Sequence, residues 1–174
     1  MNHMLRKLFA RLTPDVQPGA PLFKALTGEA RRKHWYREGQ VEDSVDGRFA
    51  MLATVMALAT VRLEEGGAEG RGHSAWLAER FVEAMDAEHR QMGVSDPTLG
   101  KTVRRLVSAL GNRADFWREA VTGNGDWREA TAKSVYRGTP PSDAALAHSA
   151  GELEKLWAAL RASTDEALID GRIG

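Results

Sequence analysis

Apolar residues recur along most of this chain at intervals of three and four, the spacing that lays one helix face against a core. Leu77, Phe81, Met85 and Met92 form one such stripe, and Leu99, Val103, Leu106, Leu110, Ala114 and Trp117 form another. No stretch combines period-two alternation with a hairpin turn, so the pattern predicts an all-α fold. Clusters of Gly, Pro and Asp interrupt it at 13–21, 39–47, 64–73, 93–97, 123–125 and 138–141. Between these breaks the spacing predicts six to seven helices in a single-domain bundle.

The faces differ in character. Residues 49–63 are apolar almost all round, the mark of a helix enclosed by others. Opposite the Leu99–Trp117 stripe stand Lys101, Arg104, Arg105, Ser108 and Asn112, which make that helix amphipathic and basic outside. Its predicted start has Asp96 as N-cap and Pro97 in the first turn, while Gly93 suits the end of the preceding helix. That helix is expected from about Ser74, with Glu79, Glu83, Asp86 and Arg90 outward. Leu146, Ala150, Leu153, Trp157, Leu160 and Leu168 make a near-heptad seam on a C-terminal helix over 142–170, expected to pack within its own bundle.

The 174 residues carry 24 cations, 24 anions and no cysteine. The length suffices for a core without covalent staples, and the missing cysteines exclude disulfides, thiolate metal sites and cysteine nucleophiles. The charge balance gives no sign of a nucleic-acid partner. Cations nonetheless crowd the start of the chain and residues 101–118, and acids crowd 64–88, which suggests oriented surfaces. No secretory signal or span-length apolar run is evident, so a cytoplasmic location is expected. Leu5, Leu8 and Phe9 with Arg6, Lys7 and Arg11 form a short basic amphipathic segment that could touch an anionic membrane surface. Residues 1–21 are therefore set apart as a segment and linker before a helical domain over 22–174.

Candidate chemistry is sparse. Gly-Lys-Thr at 100–102 suggests a phosphate loop, but six residues separate Gly93 from Gly100 where that loop has four, and a helix rather than a strand precedes them. Asp86-x-x-His89 approaches a bundle metal motif without the second copy such sites need. No metal site, cofactor or catalytic residue is assigned, and no Gly-x-Ser-x-Gly elbow is present. A small metal-dependent enzyme built on Asp86 and His89, and a membrane-peripheral adaptor using the N-terminal segment, stay open as alternatives. The polar loop at 40–48 leads into the most buried helix, with Asp43 or Ser44 placed to cap it.

Two segments carry a resemblance. One is Trp35-Tyr36 followed by Val41-x-Asp43-Ser44-x-Asp46-Gly47-Arg48-Phe49-x-Met51. The other is Asp86-x-x-x-Arg90-x-Met92-Gly93-Val94-x-Asp96, running through Gly100-Lys101 into the basic helix. In this order and at this distance they resemble the ubiquinol-cytochrome c chaperone family over residues 22–137. The chain departs from that family at Ala50, where an acidic residue is usual, and near Ala57, where a histidine is frequent.

The resemblance implies a non-enzymatic assembly chaperone that binds newly made cytochrome b and assists biogenesis of the bc1 complex, the ubiquinol-cytochrome c reductase. It implies cytochrome b or another subunit of that complex as client, and leaves room for a helical partner protein and a membrane surface. Asp43, Asp46, Arg48, Asp96, Lys101, Arg104 and Arg105 are the expected client-binding residues. Trp35, Tyr36, Gly47, Phe49, Met92, Gly93 and Gly100 are the expected structural positions of the motifs.

Overall fold

The computed structural model describes residues 19–91 and 99–174. Its helices are α1 (Ala20–Ala30), α2 (Lys33–Arg37), α3 (Val45–Glu64), α4 (Gly67–Gln91), α5 (Leu99–Val121), α6 (Trp127–Tyr136), α7 (Asp143–Ala162) and α8 (Asp165–Ile169). No strand occurs among the described residues, and the all-α expectation holds. The N-terminal segment through Arg11, and Met92, Gly93 and Asp96 of the α4–α5 junction, lie outside the described residues.

Helix α3 is the axis. Every residue from Ala50 to Val61 is buried, and α1, α4, α5, α6 and α7 all pack on it. Burial on every side requires a helix apolar on every side, which is the pattern read from 49–63. Ser44 starts α3 as N-cap, its Oγ accepting from the Gly47 amide at 3.2 Å. At the other end Arg62 reaches into the α7–α8 turn, donating to Leu160 O at 3.2 Å and Ser163 O at 2.8 Å and pairing with Asp165 at 2.8 Å. Glu64 then accepts from Nε and Nη2 of Arg118 on α5, with contacts of 2.8–3.1 Å, while Nη1 turns to Asp115.

Two boundaries differ from expectation. Helix α4 begins at Gly67, two turns before Ser74, whose hydroxyl donates to Arg71 O rather than capping. Gly70 is steric in purpose: a Cβ there would run into the Leu63 carbonyl, so only glycine lets α4 turn back so closely on α3. The C-terminal seam is also divided. Leu146 through Leu160 lie buried on α7, but the helix stops at Ala162 and Thr164 caps a new one, α8, which carries Leu168. The seam packs inside its own bundle.

Short α2 is tied in through its side chains. Trp35 is fully buried and donates from Nε1 to Glu29 O at 2.9 Å, while the Tyr36 hydroxyl donates to Ala30 O at 2.9 Å. His34 Nδ1 sits 3.1 Å from Nε2 of His148 on α7, a contact that needs at least one of the rings neutral. Burial foremost, with the Arg32 cation beside it, lowers the imidazole pKa of His34. The folded protein therefore disfavours protonated His34, so its contribution to stability is whole above the free value of 6.5 and is lost as pH falls through the lower folded value.

Two tests follow from this packing. Gly47→Ala drives a Cβ into the Glu42 carbonyl and should lower stability by about 1–3 kcal/mol, whereas Gly111→Ala, on an open face of α5, should raise it by about 0.5–1 kcal/mol. Urea midpoints of both variants against the parent decide. In the parent the midpoint should fall as pH drops from neutral to well below 6.5, with a smaller fall in His34→Gln.

Candidate functional site

At the end of the bundle where α3 begins, a groove of about 960 Å³ opens between helix ends. Its floor is apolar: Phe49 and Leu52 from α3, Met85 from α4, and Leu106 and Ala109 from α5. The N-cap at Ser44 sets this geometry, because it fixes where α3 starts and therefore which way Phe49 and Leu52 face. Val45, the first residue of α3, stands 58% exposed at the mouth.

The rim is strongly basic. Arg31, Lys33 and Arg37 come from the α1–α2 corner, Arg48 from α3, Arg105 and Arg113 from α5, and Arg137 from the end of α6. Against these seven cations stand, among the described residues, two carboxylates, Asp43 and Asp46. Both are already engaged: Asp43 accepts from Arg48 Nε at 2.7 Å, and Asp46 lies 3.1 Å from Arg137 Nη2. The Arg48 hydrogen bond holds the Asp43 carboxyl below the usual carboxylate range. Both ion pairs are solvent-exposed, so they orient the rim more than they stabilise the fold.

Arg113 is different. It is half-buried, and its guanidinium lies 5.7 Å from the Phe49 ring centroid, a cation-π distance. Nε donates to Ser134 O at 3.2 Å and Nη1 to Ala109 O at 3.0 Å. No carboxylate pairs with it among the described residues. Burial chiefly, and then the nearby Arg137 cation, lowers its pKa. A desolvated positive charge without a counter-ion is costly. Nearby, burial foremost raises the phenol of Tyr36, which helps close the groove beside Arg48.

Arg137 itself occupies an unusual backbone position. It ends α6 in the left-handed region, φ 54° and ψ 33°, where glycine or asparagine is the usual residue. Tyr136 beside it is anchored from behind, its hydroxyl donating to Gly39 O at 2.5 Å and lying 2.7 Å from Ser149 Oγ.

Of the residues expected from the sequence, Asp43, Asp46, Arg48 and Arg105 meet at this groove, with Phe49 and Tyr36 in its walls. Lys101 and Arg104 are exposed on α5 and do not line it. Trp35 and Gly47 act behind it, one as buried anchor and one as the point where the chain passes close to Glu42. Gly100 lies in the first turn of α5. Sequence reasoning did not single out Arg113 or Arg137, nor the part played by Arg31, Lys33 and Arg37. Arg113 had left a trace: it follows Leu110 by three residues, so a cation stands on the margin of an apolar stripe. Arg137 had none, since a left-handed C-cap at a non-glycine residue is invisible to periodicity.

Among the described residues no group of His, Asp or Glu is arranged to hold a metal ion. The side chains of Asp86 and His89 are not among those described. No described helix is long and apolar enough to cross a membrane.

A family model, ubiquinol-cytochrome C chaperone, matches residues 37–173. That match takes in the groove loop and runs through α7 and α8. The chain is similar in structure to the crystal structure of the Cbp3 homolog from Brucella abortus, with a TM-score of 0.76 and 23% identity over 98% of this chain and 96% of that one. At that identity the likeness speaks for the fold. No curated protein matches the chain.

Replacing the uncompensated cation tests its cost. Arg113→Met keeps a stem of similar length over Phe49 and removes the buried charge, and its urea midpoint should stay within about 1 kcal/mol of the parent. A loss of several kcal/mol would mean that the arginine is there for the fold.

Proposed function

The chain belongs to the ubiquinol-cytochrome C chaperone family, and from that premise we propose that it binds newly made cytochrome b and holds it for assembly into the reductase. The family match over residues 37–173 carries this reading, and the groove supports it. Cytochrome b is a membrane protein whose segments need shelter until haem and the other subunits arrive. A concave surface with an apolar floor and a charged rim offers both contact area and orientation. Asp43, Asp46, Arg48 and Arg105 make the charged contacts at that surface, joined by Arg113 and Arg137. Lys101 and Arg104 extend the basic face beyond it, and Asp96 belongs to the adjoining junction.

The role requires no turnover, and we assign no catalytic residue. The protein works from the cytoplasmic side of the membrane, with Leu5, Leu8, Phe9 and their neighbouring cations as a peripheral contact.

Deletion of the gene tests the proposal in vivo. Washed membranes should then show reduced b-type haem absorbance and reduced ubiquinol-cytochrome c reductase activity, both restored by the intact gene. Normal haem and normal activity in the deletion strain would sink the assignment.

A further inference from the structure

The groove has a charge that its described residues leave unanswered. Arg31, Lys33, Arg37, Arg105 and Arg113 line it without a carboxylate partner among the described residues. The chain as a whole is neutral and rich in surface ion pairs. Cations left unpaired here, at one concave site, point to a negative ligand.

Deepening the reading of this groove as the client surface, and resting on it, we propose that it takes an acidic amphipathic peptide segment, whose carboxylates pair with the rim cations while its apolar side chains cover Phe49, Leu52 and Val45. Arg48 and Arg137 show the mode of contact. Asp43 and Asp46 already hold them by carboxylate pairing, so an incoming acidic side chain meets guanidinium groups set at carboxylate distance. Arg113, desolvated above the floor, gains a counter-ion when the segment seats.

The layout favours a peptide over a lipid surface. The cations come from three helices, α2, α3 and α5, and from the C-terminal ends of α1 and α6, so they are distributed around the groove. The site is also concave between helix ends, whereas a bilayer is met by flat or convex faces.

The probe is a fluorescein-labelled peptide of about 15 residues, a length at which an isolated helix begins to hold, with leucines at helical spacing and glutamates elsewhere. Fluorescence anisotropy with the whole protein should show binding that weakens with added salt. A version with glutamine in place of every glutamate should bind at least about tenfold more weakly. Arg37→Gln/Arg105→Gln, two exposed positions that leave the core intact, should lose about tenfold for the acidic peptide, while Lys155→Gln on α7 should not. Equal binding of the acidic and neutral peptides would overturn the proposal. So would unchanged affinity in the double variant, phosphatidylglycerol vesicles that bind through Arg37 and Arg105 while the peptide does not, or self-association of the protein through those two residues. These readouts stand apart from the deletion phenotype, so the ligand class and the assembly role fail separately.

Discussion

Burying α3 on all sides is the constraint from which the rest of the structure follows. A helix with no outward face needs neighbours all round it, and α1, α4, α5, α6 and α7 supply them. Each needs only one apolar stripe, which leaves its other face free to carry charge. The small residues of α3, among them Ala50, Ala53, Ala57 and Ala59, let these neighbours approach closely. Its ends are where enclosure stops. At the C-terminal end Arg62 and Glu64 close the bundle with ion pairs to Asp165 and Arg118. At the N-terminal end the groove opens beside Asp46, Phe49 and Leu52.

Much of this was legible in the sequence because it depends on local pattern. The all-round apolar run of α3, the basic outer face of α5 and the seam of α7 each follow from spacing alone. The Ser44 cap was readable from residue type. Helix boundaries were less so. Gly66, Gly67, Gly70 and Gly72 read as a loop, yet α4 runs through the last three, and at Gly70 the need to pass close to the Leu63 carbonyl outweighs poor helix propensity. The division between α7 and α8 was likewise hidden, since the apolar spacing continues across the break at Ser163.

The candidate site was half legible for a related reason. Asp43, Asp46 and Arg48 lie together in sequence, and a polar cluster ahead of a buried helix is visible as such. Arg31, Arg37, Arg113 and Arg137 are brought to the same place only by tertiary packing, across more than a hundred residues of chain. The helices on either side of residues 92–98, α4 and α5, contribute Met85 and Arg105.

The left-handed residue that ends α6 has an evolutionary consequence. A glycine at position 137 would relieve the backbone and end the helix as well. Keeping arginine there places its charge opposite Asp46 despite a conformational penalty. Drift under selection for folding alone would favour glycine or asparagine at that cap. Which residue stands there in related chains therefore reports, independently of any overall likeness, whether the ion pair across to Asp46 is kept.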